Sequence, residues 1–312
     1  MPKRSSDRST IYAWLQLVRL PNVFTAMADV AMGYFFVRGM VGAEEVPRLA
    51  LLVGASSLLY IAGVVLNDVF DFPRDREERP ERPLPSGRIA RSVAAGFGWS
   101  ALLLGVGLAW AAGWRLSTPW PGIVSVGLAA CIVLYDVWAA KTPLGPPAMG
   151  ACRMLNVLLG MSVAAGPWLA EHYLVAGAIG VYITGVTWFA RREVGGAGRL
   201  QLALAAAVML AGIAMLAWLP VLSQRVVPLL VQEPQRWRLF LTILGLLIGW
   251  RCVKAIFDPS PCNVQMAVIQ GVTSLIVLDS AACFAVAGVP AALLILLLLV
   301  PTVLFGRWIQ MT

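Results

Sequence analysis

The chain has 312 residues, 59% of them hydrophobic and only 13% charged, with a formal net charge of +8. So few charged side chains cannot cover a water-soluble surface, which excludes an ordinary globular protein and leaves a polytopic membrane protein embedded in a lipid bilayer. The positive excess has no soluble basic domain to sit on, so nucleic acid is excluded as a partner.

Taken in order, apolar runs predict helices near residues 20–38, 47–68, 92–113, 119–138, 145–166, 172–190, 200–222, 238–257, 264–287 and 290–309, an all-α bundle of bilayer-length segments. Residues 1–19 form a basic segment ahead of the first span. Ala26, Met27 and Ala28 have the small-residue spacing of a signal-peptide cleavage site. Arg19 and Pro21 interrupt the apolar core such a peptide needs, so 20–38 is read as the first membrane helix. Of the 24 Lys and Arg residues, only Arg38, Arg48, Arg115, Arg225, Arg236 and Arg238 fall on one side of the bundle. The rest, with Arg74 to Arg91, Lys141, Arg153, Arg191 and Arg192 among them, fall on the other. The positive-inside rule makes that second side, and the N-terminus with it, cytoplasmic in a cell membrane.

The second apolar run ends in Asn67-Asp68-Val69-Phe70-Asp71-Phe72-Pro73-Arg74-Asp75, followed by a basic, proline-rich stretch to Arg91. On a continuous helix Asn67, Asp71 and Asp75 lie at roughly 0°, 40° and 80° around the axis and Asp68 at roughly 100°. Four oxygen-bearing side chains then share one face. Clustered hard oxygen donors suit Mg2+, which keeps part of its water shell and is usually held by a few carboxylates together with substrate phosphates. The competing reading is a solvated helix end tied down by surface salt bridges. Pro73 has no amide proton and clashes with the carbonyl four residues back, which predicts a kink or stop there and makes Asp75 weigh less than Asp71.

The pattern N-D-x-x-D-x-x-x-D resembles the first aspartate-rich motif of the UbiA family of intramembrane prenyltransferases. Arg82-Pro83-Leu84-Pro85-Ser86-Gly87 is similar to that family's R-P-x-P-S-G loop. The resemblance implies a single domain over 1–312, nine helices around a central cavity with a cytoplasmic mouth, and Mg2+-dependent transfer of an isoprenoid chain. The donor would be an allylic prenyl diphosphate and the acceptor an aromatic or lipid-like molecule. It assigns the metal to Asn67, Asp68, Asp71 and Asp75. Hydropathy counts ten helices, so the last two segments are read either as two spans or as one span with a shorter piece.

Between the fourth and fifth spans lie Tyr135, Asp136 and Lys141, followed by Arg153 and Asn156 in a C-R-x-L-N run. A diphosphate held away from bulk water needs cations beyond its metal. Tyr135, Lys141, Arg153 and Asn156 are similar to the corresponding region of UbiA relatives, and with Arg82 they are the expected substrate-binding residues. The bland alternative is a positive-inside loop with snorkelling side chains. Asp71, Asp75 and Lys141 are the expected catalytic residues.

The sixth span departs from the family pattern. Where a second aspartate-rich motif is expected, the chain reads Arg191-Arg192-Glu193, and Glu193 is the only acid between His172 and Gln232. Glu193 is therefore the one carboxylate available to a second metal, and Arg191 and Arg192 can fork onto phosphate oxygens in its place. A degenerate site is the other reading.

Elsewhere the signals are structural. His172 reads as an interfacial loop residue, and the five cysteines read as small buried hydrophobes. Gly105, Gly107, Gly195 and Gly196 read as points of close helix approach. Asp29 and Asp279, inside apolar runs, are expected to face the bundle interior, because an ionisable group facing lipid costs at least about 2.5 kcal/mol. Two further functions stand beside prenyl transfer. One is a non-catalytic, EboC-like UbiA-fold protein that handles or exports a lipophilic metabolite; the other is a transporter with no prenyl ligand.

Overall fold

The computed structural model describes residues 10–115, 117–191, 198–223, 225–227, 230 and 232–308. Within them the regular structure is helical throughout: α1 (Thr10–Leu17), α2 (Leu20–Arg38), α3 (Val46–Phe70), α4 (Phe72–Glu78), α5 (Arg91–Arg115), α6 (Trp120–Val137), α7 (Gly145–Met161), α8 (Ala170–Ala190), α9 (Arg199–Met215), α10 (Leu219–Leu222), α11 (Pro234–Phe257), α12 (Pro261–Leu296) and α13 (Leu299–Trp308).

Eight helical stretches among the described residues are long and apolar enough to cross a membrane. The eighth, Pro261–Trp308, is bent back on itself. Gly288 has φ 82°, open to a glycine and strained for other residues. Ser280 Oγ donates to the Ala292 carbonyl at 2.8 Å, although twelve residues of straight helix would separate them by about 18 Å. The returning limb stacks Phe305 on Phe24, 6.0 Å between ring centroids, and ends where Tyr12 donates to the Trp308 carbonyl. The break at 288 matches the predicted boundary between the ninth and tenth segments. The ten predicted segments include α7, which at 17 residues is shorter than the rest but packs between α2, α6 and α8.

The helix α2 is the axis of the bundle, covered by α3, α7, α12 and α13. A side chain on Gly33 of α2 would strike the Val157 carbonyl of α7, and one on Gly160 of α7 would strike the Val30 carbonyl of α2; these two glycines set the closeness of that pair. Gly105 likewise packs on Leu59, while Gly107 has open space around it, so the expected close approach holds for the first only. Gly195 and Gly196 lie outside the described residues.

The helices alternate in direction, so the 70–91 connection, the 138–145 turn, the end of α8, the start of α9 and the start of α12 share one end of the bundle. There Arg82-Pro83-Leu84-Pro85-Ser86-Gly87 folds as consecutive turns, with Ser86 N–H donating to the Arg82 carbonyl and Gly87 N–H to the Leu84 carbonyl, both at 3.0 Å. Gly87 takes φ 74°. Leu84 and Ile89 bury themselves with Ala13 and Leu17 of α1 and Val65 and Val69 of α3 in a small apolar cluster of their own. This cluster anchors the loop over the end of α3.

Two expectations need correction here. His172 is no interfacial loop residue: it is buried in the first turn of α8, where its Nδ1 accepts the Leu169 N–H at 2.7 Å. The cysteines are not uniformly buried. Cys152, Cys252 and Cys283 are, Cys131 is half-buried, and Cys262 is exposed.

Candidate active site

The helix α3 stops at Phe70, Asp71 caps it with φ −86° and ψ 2°, and α4 starts again at once with Pro73 in its first turn. The stop comes three residues before the proline, as the missing amide and the clash predict. Asp75 N–H still reaches the Asp71 carbonyl at 2.9 Å, so the chain bends without unwinding.

Two cavities meet at this bend. A polar one of about 530 Å3 is lined by Arg19, Asn22, Asn67, Asp71, Asp75, Arg82 and neighbouring charged groups of α4, with Ala190 and Gln265 opposite. A narrower one of about 110 Å3 runs into the bundle between Leu59, Tyr60, Val64, Leu128, Ile132, Tyr135, Asp136 and Met149, down to Ser56, Arg153 and Asn156. Arg19 and Asn67 line both. A charged head chamber thus opens onto a mostly apolar slot.

The four oxygen-bearing residues of the motif do not share one face. Asp68 is buried between Arg19, at 3.0 Å, and Arg82, at 3.7 Å, and it lines neither cavity. Arg19 has φ 48° and ψ 52°, a left-handed backbone that costs a non-glycine residue about 1–3 kcal/mol. Burial opposes its charge, but Asp68, with the Tyr60 and Tyr135 hydroxyls, outweighs that and holds the guanidinium above its usual range. Asp75 accepts Arg82 Nη1 at 2.6 Å. Asp71 faces Lys141 Nζ at 3.3 Å, and its Oδ1 has no hydrogen bond: the pair is in electrostatic contact without hydrogen-bond geometry. Asn67 lies beside Asp136, which is 1% exposed and whose Oδ2 is also unbonded.

These donors fit a hard cation. Asn67, Asp71 and Asp75 line the polar cavity, and Asp71 Oδ1, which faces Lys141, accepts no hydrogen bond. No group of three or more His, Cys, Asp and Glu side chains gathers closely enough among the described residues to hold a metal alone. Two carboxylates and an amide is a set that leaves Mg2+ to complete its shell from water and phosphate oxygens.

Arg153 and Asn156 are buried within α7 and line the inner part of the slot that opens at Arg19 and Asn67. Asn156 accepts Ser56 Oγ at 2.7 Å, and Ser56 lies eleven residues before Asn67 on α3, about 16 Å along the axis. Arg153 donates to Asp29 Oδ2 at 2.8 Å and to Thr25 Oγ1 at 2.9 Å, and Asn156 donates to the same Asp29 oxygen at 3.0 Å. Asp29 and Asp279 face the interior, as expected, and are fully buried. Tyr135 lines the slot near its mouth.

The helix α8 ends without an acid among the described residues at its tip; Arg192 and Glu193 lie outside them. Arg191 Nη2 donates to the Ala140 carbonyl at 2.5 Å and packs on Gly145, where a side chain would strike it. It clamps the turn that carries Lys141. Arg19, Asn22 and Asp136 are site residues that sequence reasoning missed. The rule that an ionisable residue inside an apolar run marks a site points to Asp136 as much as to Asp29; nothing comparable singles out Arg19 or Asn22.

A model of the UbiA prenyltransferase family matches residues 26–262. A digeranylgeranylglyceryl phosphate synthase from Sulfolobus acidocaldarius is 34% identical over 138 residues, 44% of this chain and 46% of that protein. A protoheme IX farnesyltransferase from Korarchaeum cryptofilum is 30% identical over 144 residues, 45% of this chain and 47% of that one. The chain thus spans about half the length of the curated relatives it matches. Among solved structures, a UbiA homolog from Archaeoglobus fulgidus bound to GPP and Mg2+ is similar with a TM-score of 0.63 at 14% identity, over 86% of this chain and 99% of that one. A digeranylgeranylglyceryl phosphate synthase structure reaches 0.62 at 18%, over 90% and 99%. At these identities the likeness is one of fold.

Proposed function

Because the chain belongs to the UbiA prenyltransferase family, we propose that it moves an isoprenoid chain from an allylic prenyl diphosphate to a small hydrophobic, aromatic or lipid-like acceptor. The observation that carries this reading is the joining of a carboxylate- and arginine-lined chamber to an apolar slot at Asn67 and Arg19. The diphosphate lies in the chamber and the isoprenoid in the slot. Asn67, Asp71 and Asp75 would hold Mg2+, which when bound would supply positive charge to the diphosphate oxygens. Lys141, Arg82 and Arg19 add fixed cations that favour the diphosphate as it departs. The side chains around the slot keep water from the allylic carbon, and Tyr135 bounds the space the acceptor enters.

The test is direct. Purified protein in micelles is mixed with labelled allylic prenyl diphosphates of increasing length, Mg2+ and a panel of aromatic and lipid-alcohol acceptors, and prenylated product is expected only with the metal. Diphosphate binding without any product favours the non-catalytic reading, for which the lack of an acid at the described tip of α8 speaks.

The charge distribution supports a cytoplasmic N-terminus and chamber mouth. Cysteines introduced at positions 78 or 88 are expected to label only from the cytoplasmic side, and at 115 or 233 only from outside. The reverse pattern overturns that orientation.

A further inference from the structure

The family pattern expects the sixth span to deliver carboxylates opposite the first motif, and the described tip of α8 delivers Arg191 to a backbone turn instead. The charge balance around Asn67 shows where another acid stands. Asp68 is paired with Arg19, Asp75 with Arg82, and Asp71 faces Lys141. Asp136 alone among the four has no cation within salt-bridge reach among the described residues, although it is 1% exposed. A buried carboxylate without countercharge is costly, by several kcal/mol.

Unbonded acceptors cluster in the same place. Asn22 Oδ1 and Asp136 Oδ2 are buried without a hydrogen-bond partner, and Asp71 Oδ1, also unbonded, faces only Lys141 Nζ at 3.3 Å. Asn22 and Asp71 line the polar chamber, Asp136 lines the slot, and Asn67, beside Asp136, lines both. Buried acceptors are normally satisfied, and a group of them around one amide has the composition of a vacant oxygen cage. Soft ligands do not intrude: the nearest thiol in the slot, Cys152, is turned to Cys131 at 3.4 Å.

Resting on the proposed function, we propose that Asp136 supplies from α6 the carboxylate that α8 lacks, and that with Asn67 and Asp71 it completes the oxygen site for the divalent cation. The second half of the site comes from the helix next to the first motif. Arg191, by holding the Ala139 and Ala140 carbonyls, fixes the turn that follows Asp136 and carries Lys141; it is a positioning residue.

The experiment uses the full chain in detergent micelles with Mn2+ as the probe, with and without inorganic pyrophosphate, and reads free Mn2+ by its electron paramagnetic resonance signal. Wild type is expected to bind. Asp136→Asn, which keeps the shape and removes the charge, is expected to lose about tenfold or more in Mn2+ affinity, the scale seen when even outer groups around a metal are removed. Asp136→Glu recovers part of it, and exposed Asp258→Asn changes nothing. Wild-type binding with unchanged affinity in Asp136→Asn overturns the inference and leaves the metal reading intact; no wild-type binding overturns both. Should Asp136→Asn fail to fold, Asp136→Cys in a background with Cys131, Cys152, Cys252, Cys262 and Cys283 all replaced by Ala decides. A sulfur-to-cadmium charge-transfer band on adding Cd2+ places position 136 on the ion, and its absence removes it.

Discussion

Two polar clusters lie inside this bundle, and they differ in where their unbonded atoms point. Around Asn67, free oxygens of Asn22, Asp71 and Asp136 border cavities, and the cations that answer them belong to loops and helix ends. Deeper in the bundle, Arg153, Asp29, Thr25, Asn156 and Ser56 bond one another, Asp279 lies beside Asp29, and neither acid lines either cavity. Both clusters keep buried oxygens without a hydrogen bond, Asp29 Oδ1 and both Asp279 oxygens in the second; only in the first do the acids that carry them line a cavity. Burial and residue type alone do not distinguish a site from a staple; whether the unbonded acids border a cavity does.

The largest expected effect falls on the deep cluster. Arg153→Leu strands Asp29 without its cation, and such a break costs about 3–5 kcal/mol. It is expected as a lower unfolding temperature in micelles, largely recovered in the Arg153→Leu, Asp29→Asn double variant. If Arg153→Leu instead leaves stability unchanged and abolishes prenyl diphosphate binding, the two clusters are one site and the contrast fails.

Next comes Asp71→Ala. Prenyl diphosphate affinity should drop tenfold or more, about 1.4 kcal/mol, with the unfolding temperature unchanged, because Asp71 caps a helix end that faces a cavity. Chelator should give the same loss in wild type. Equal binding with and without chelator removes the metal from the chamber.

The smallest effect is assigned to Arg191. Its guanidinium is engaged by the Ala139 and Ala140 carbonyls, so Arg191→Gln should shift the affinity for a non-hydrolysable prenyl diphosphate analogue by less than about threefold, about 0.7 kcal/mol. A tenfold loss at fixed Mg2+ and salt would move Arg191 from the turn onto the phosphate.

Hydropathy alone determined the all-helical membrane bundle, its ten apolar segments and the break near residue 288, because each segment must satisfy its own backbone within lipid and Gly288 with Pro290 cannot continue a helix. The motif from Asn67 to Asp75 and the stop before Pro73 were legible for the same local reason. What the sequence could not decide is which acids face the cavity. Asp68 lies one residue from Asn67, yet Arg19 and Arg82, distant in the chain, turn it away. Asp136 comes to Asn67 only because α6 packs beside α3. Arg153 looked like one more inside-face cation because its partner Asp29 is 124 residues away. Ion pairs form between whatever charges the helix packing brings within a few ångströms, and that packing is a property of the assembled bundle, absent from any single helix.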